Sequence, residues 1–122
     1  MSQTHLTKIV VVLFLHFVAD FIFQTRWQAT NKSKRWDALA FHCATYAAGM
    51  CGPCVIGHIS WMWLAFNSLA HFFTDAVTSR ISSACFQRGG AGNKWFWITI
   101  GFDQWIHAAT LIATLYWIGG LQ

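Results

Sequence analysis

Three pairs of ionisable residues share one spacing: His16-x3-Asp20, His71-x3-Asp75 and Asp103-x3-His107. Imidazole nitrogens and carboxylate oxygens together suit Zn, Mn or Fe. In a helix, residues four apart stack on one face, about 6 Å apart along the axis. Each pair can therefore grip an ion with two prongs or pair with itself. Each also lies inside a long apolar run. Charge at membrane depth costs several kcal/mol, by rough estimate, so ionisable residues there are candidates for function by default.

The elements that must carry these pairs can be read from the apolar runs. Four segments are expected: about Leu6 to Gln24, Asp37 to Met50, a third ending near Arg80, and Lys94 to Ile118. The first approaches the ~20 residues that span a bilayer. It lacks a small-residue cleavage site and carries His16 and Asp20, so it is expected to stay as a helix rather than be removed as a signal peptide. Asp37 has the chemistry of an N-cap for the second. Cys51-Gly52-Pro53-Cys54 interrupts the chain between the second and third. Polar connectors run from Thr25 to Asp37 and from Ser82 to Asn93.

Composition points the same way. The 122 residues suffice for a single domain, 56% are hydrophobic, and only 10% are charged, against roughly 25% in soluble domains. The acids are Asp20, Asp37, Asp75 and Asp103, with no Glu. The fold class read from this is all-α: a four-helix transmembrane bundle, one polytopic domain over residues 1–122. The net charge of +4 sits in the two polar connectors rather than on one face of a soluble element, which excludes a nucleic-acid partner. By the positive-inside rule these connectors face the cytoplasm and both termini the periplasm, as in a multi-pass protein of a bacterial inner membrane. Trp27, Trp36, Trp95 and Trp97 then mark the inner interface, and Trp61, Trp63 and Trp117 the outer.

Counting residues from the connectors puts Asp20, His42, Asp75 and Asp103 roughly 8–14 Å from the inner boundary, with His16, His71 and His107 one turn deeper. Each helix then has one polar stripe, which lipid will not accept. The stripes are expected to face one another in the bundle. The candidate ligands are His16, Asp20, His42, His71, Asp75, Asp103 and His107, of which Asp20, Asp75 and Asp103 are the catalytic candidates. Seven ligands exceed the three or four that one zinc takes, so they suit two ions, or one ion with supporting partners. Two ions about 4 Å apart can activate water and hold a phosphate or carbonyl oxygen.

Two other readings remain open. A His/Asp chain can relay protons or pass an ion; a bundle this small would then work as a homo-oligomer. Or the pairs satisfy each other across one helical turn and only fix the bundle, as in a structural or interaction protein of the membrane. The C-G-P-C letters lack the βαβ context of a redox motif, although a disulfide between Cys51 and Cys54 is chemically open. Cys43 and Cys85 read as packing residues, and His5 and His58 as solvated. No serine-protease, P-loop or dinucleotide-binding motif is present.

The chain resembles a family of small bacterial and phage integral membrane proteins of unknown function. The likeness rests on His16-Phe17-Val18-Ala19-Asp20-Phe21-Ile22-Phe23-Gln24, Trp27, Asn31-Lys32, His42, His71-Phe72-Phe73-Thr74-Asp75 and Asp103-Gln104-Trp105-Ile106-His107. It adds Gln24, Asn31, Lys32 and Gln104 to the candidates, with Gln24 and Gln104 expected to orient ligands or substrate. It implies no established reaction. A looser similarity, to membrane-bound metal-dependent hydrolases with His-x3-Asp motifs, is analogy. Function is therefore expected to be metal-dependent hydrolysis of a lipid-linked or phosphorylated substrate.

Overall fold

The computed structural model describes residues 1–120, and every regular element among them is helical. Helix α1, Gln3–Phe17, starts on a Ser2 cap and runs into a π-helical turn, Val18–Ile22. A short helix α2, Arg26–Asn31, comes next, inside the stretch that the sequence marks as a polar connector. Its start is fixed by a capping box: Thr25 accepts from the Gln28 backbone and the Gln28 side chain returns the bond. Helix α3 is Trp36–Met50, and α4 is the single turn Gly52–Val55. Helix α5, Trp61–Gln87, has 27 residues, and α6, Lys94–Trp117, has 24.

Three expectations need correction. Asp37 is not the cap of α3. Arg35 holds that position, and Asp37 lies in the first turn, where it accepts from the Ala38 backbone and pairs with Arg35 at 2.6 Å. The second connector is shorter than Ser82–Asn93, because α5 continues to Gln87. The chain then reverses on Gly89 and Gly90, whose φ values of 147° and 60° other residues rarely adopt. Trp63 is fully buried, so it belongs to the core and not to an outer aromatic belt.

The C-G-P-C segment folds as α4 with Pro53 in its first turn, and both thiols are free. Among the described residues, one stretch is long and apolar enough by composition to cross a membrane: Gln3–Ile22. Helix α3 is too short, at 15 residues. Helices α5 and α6 are long enough, but their mean hydropathy is lowered by inward residues such as Asn67, His71, Asp75, Asp103, His107 and Thr114.

The interior has two halves. Around Trp63, Leu64, Met50, Leu111 and Leu115 it is apolar, with Val12 and Ile59 packed in. Both described termini lie at this end, where Lys8 Nζ reaches the Gly120 carbonyl at 3.4 Å. The other half is polar and lies beneath the connector between α2 and α3. There the Arg80 guanidinium lies 4.1 Å over the Trp36 ring, tying α5 to the start of α3. Close approach of α3 to the π turn depends on Gly49. A Cβ there would meet the Ala19 Cβ at 2.8 Å.

Candidate metal centre

Four elements bring six polar side chains to the centre. The π turn carries Asp20, α3 carries His42, α5 carries His71 and Asp75, and α6 carries Asp103 and His107. Asp20, His42, His71, Asp75 and His107 are buried, and Asp103 is half-buried. The π turn matters because it inserts one residue and re-aims the side chains beyond it, a device that recurs at functional sites.

The closest contacts run between elements. His42 Nε2 lies 3.0 Å from Asp20 Oδ1, 3.2 Å from Asp75 Oδ2 and 3.1 Å from His71 Nε2. His71 Nε2 is 3.6 Å from Asp20 Oδ1 and 3.7 Å from Asp75 Oδ2. Within the i, i+4 pairs the atoms stand farther apart: 3.9 Å for His16–Asp20, 3.7 Å for His71–Asp75 and 3.5 Å for Asp103–His107. The repeated spacing thus places residues on inward faces rather than closing each pair on itself.

Four ligand atoms, Asp20 Oδ1, His42 Nε2, His71 Nε2 and Asp75 Oδ2, therefore surround one point, and five of their six separations fall between 3.0 and 3.7 Å. A tetrahedral ion with bonds of about 2.0–2.1 Å needs ligand separations of about 3.3 Å. One imidazole proton on His42 Nε2 cannot be aligned with three neighbours at once, and Asp20 Oδ1 has no hydrogen-bond partner. The Nδ1 atoms of His42 and His71 are also unpartnered, and the His71 ring is stacked on Tyr46 at 3.8 Å.

Asp75, Asp103 and His107 form a second group that shares Asp75 with the first. His107 Nδ1 sits 2.8 Å from the Asp103 carbonyl, which makes it the protonated nitrogen. His107 Nε2 is then a free lone pair. It is buried, without a hydrogen-bond partner, and 3.6 Å from Asp75 Oδ1. Thr78 donates to Asp103 Oδ1, and Gln104 Nε2 to Asp103 Oδ2 at 3.0 Å.

His16 stands outside both groups. Its Nδ1 meets the Tyr46 hydroxyl and its Nε2 meets Gln104 Oε1, each at 3.1 Å. Gln104 also donates to Asp20 Oδ2 at 3.1 Å, so it links His16, Asp20 and Asp103. Gln24 lines an adjoining cavity, and Asn31 is engaged in α2, where it donates to the Trp27 carbonyl. Lys32 reaches in from the connector, with Nζ 2.8 Å from Asp75 Oδ2. Burial works against its charge, but the Asp75 and Asp20 carboxylates outweigh burial and hold its pKa above the ordinary value. Cys43 is buried and Cys85 half-buried outside the cluster, while His5 is half-buried and His58 exposed. Three residues at the centre or its cavity are not among the sequence candidates for ligands or catalysis: Tyr46, one turn after His42, Thr78, three residues after Asp75 on the same stripe, and Ser79, which lines the adjoining cavity and has no such signal.

A family model described as "Protein of unknown function (DUF3307)" matches residues 9–121, and the chain belongs to that family. No curated protein and no solved structure matches it.

Proposed function

We propose that this member of the family is a multi-pass membrane protein that holds two divalent metal ions and uses them to hydrolyse a phosphorylated or lipid-linked substrate. The observation that carries the reading is the near-equal spacing of four ligand atoms from three elements. Two imidazoles and two carboxylates suit Zn, Mn or Fe. Positive ions also offset carboxylates that would otherwise be buried at high cost.

The two groups invite different roles. The first offers four protein ligands, the closed set of a structural ion. The second offers three, and its Asp75 and Asp103 line a cavity of about 140 Å³. Three protein ligands leave a position for water, as in catalytic centres. Asp75 presents one oxygen to each group, so it would serve as a ligand in both sets. Ions held by these residues would supply water activation near neutral pH and offset charge developing on the substrate. His16, Tyr46 and Gln104 would position Asp20 and Asp103.

The membrane setting is supported by an inverted surface. Phe14, Phe41, Leu69, Phe73, Val77, Phe102 and Trp105 are exposed, while the polar side chains face inward. By length, α5 reaches about 40 Å and α6 about 36 Å, more than a hydrocarbon core. Arg26, Lys32, Lys34, Arg35, Arg88 and Lys94 fall in or beside the two connectors, which favours a cytoplasmic face there and a periplasmic face for the termini. A conduit is less well supported, because the apolar half around Trp63, Leu111 and Leu115 closes the polar half off from the opposite end.

The test is His107→Gln in detergent-purified protein loaded with Zn or Mn. Bound metal is expected to fall from about two ions per chain to about one, with hydrolysis of an aryl phosphate lost. Two ions retained in the variant, or wild-type hydrolysis indifferent to chelator, would count against the reading.

A further inference from the structure

The cavity beside the centre has an unusual inventory of groups without partners. It is lined by Gln24, Lys32, Ser79, Ser82 and Thr99 together with Asp20, Asp75 and Asp103. Ser82 and Thr99 already donate to backbone carbonyls. Gln24 Oε1 and Ser79 Oγ are buried and have no hydrogen-bond partner at all. Amide oxygen and nitrogen exchange places by a flip, so Gln24 can offer donors to the cavity. Lys32 spends its contact on Asp75 Oδ2 at 2.8 Å and has further ammonium protons to give. A second groove, lined by Lys32, Ser33, Lys34, Ser79, Ser82 and Ser83 among others, shares Lys32, Ser79 and Ser82 with the cavity and continues it toward the basic connector.

Donors of this kind match an anion. The three carboxylates of the cavity wall would repel one as long as only Lys32 balances them. Metal ions on Asp75 and Asp103 reverse that balance. They would also displace Lys32, because an ion bound to Asp75 Oδ2 would repel an ammonium group 2.8 Å from the same oxygen. The freed ammonium stays beside the cavity it already lines. An ammonium, a hydroxyl and an amide lining one cavity offer several donors to an oxyanion, and a lysine serves phosphate as a point charge.

Resting on the two-metal reading, we propose that this cavity binds the phosphate group of the substrate, and that Lys32 holds Asp75 in the metal-free protein and the phosphate in the metal-loaded one. Lys32, Ser79 and Gln24 are the phosphate's ligands on the protein side. Phosphate therefore binds only after metal, and Lys32 has opposite effects on the two: it competes with metal and assists the anion.

Lys32→Met separates these effects. Metal content is measured first, then equilibrium binding of inorganic phosphate and, in a second arm, of a short-chain phosphatidic acid in detergent. The variant is expected to bind metal at least as tightly as wild type and to bind phosphate about tenfold or more weakly, the loss of one charge-assisted hydrogen bond. Ser79→Ala, a milder change, is expected to weaken phosphate binding about threefold with metal content unchanged. Binding of both probes supports a free phosphate site, and binding of phosphatidic acid alone supports a lipid headgroup site. Phosphate affinity within about twofold of wild type in Lys32→Met, binding that survives chelation, or no binding of either probe by metal-loaded protein would overturn the proposal. Failure of the underlying reading is seen earlier and separately, as wild-type protein that retains no metal.

Discussion

Asp75→Asn is expected to strip the protein of both metal ions. Asp75 is the one residue that faces both ligand groups, with Oδ2 3.2 Å from His42 Nε2 and Oδ1 3.6 Å from His107 Nε2. An amide keeps the shape, removes the negative charge and turns one ligand oxygen into a donor. Metal affinity should fall by at least about a hundredfold, beyond what is lost when only a supporting partner is removed. The metal-free protein should suffer as well, because Lys32 loses the carboxylate 2.8 Å from its ammonium. Removing one partner of a buried pair costs about 3 kcal/mol or more, most of it the penalty of the charge left behind. Asp37→Asn is the matched control. Asp37 pairs with Arg35 in solvent-exposed surroundings, so neither metal content nor thermal unfolding should change measurably. Elemental analysis and unfolding in detergent read both variants.

The second large effect concerns the outside of the bundle. Phe73 lies on α5 between His71 and Asp75, yet it points the opposite way and is 65% exposed. In water, a charged residue at such a position is close to neutral for stability. In a bilayer, arginine near mid-depth costs at least about 2.5 kcal/mol, even on the lower scales. Phe73→Arg is therefore expected to reduce severely the amount of protein recovered in membranes after alkaline extraction. Leu69→Arg, one turn away and 62% exposed, should behave alike. Wild-type recovery and solubility for both variants would contradict the membrane reading and point to an aqueous protein that buries these faces against another chain.

The inward placement of the site was legible in the sequence because ionisable residues inside apolar runs have few places to go. Asp20, His42 and Asp75 do lie together, with Asp103 beside Asp75 in the second group, and the polar stripes of α3, α5 and α6 face one another. The pairing itself was not legible. Spacing of four says which residues share a helix face, but it does not say that His42 lies closer to Asp20 than His16 does. That difference comes partly from the π turn, which has no signature in residue type. Tyr46 shares a helix face with His42, but spacing could not show that its hydroxyl meets His16 on another helix, and Ser79, which lines the adjoining cavity without a hydrogen-bond partner, left no trace. The connector hid α2 because its start is marked only by the Thr25/Gln28 capping box amid polar residues. Hydropathy describes α5 and α6 poorly for a related reason: the residues that build the centre are the ones that lower the average.

The central claim is that the buried His/Asp cluster is a metal centre, and the metal content of the purified wild-type protein tests it most directly. Protein extracted without chelator, incubated with Zn, Mn or Fe and freed of excess ion should retain about two ions per chain, the number that the two ligand groups provide for. Retention of no more than trace metal after that loading, with the protein folded, would contradict the account.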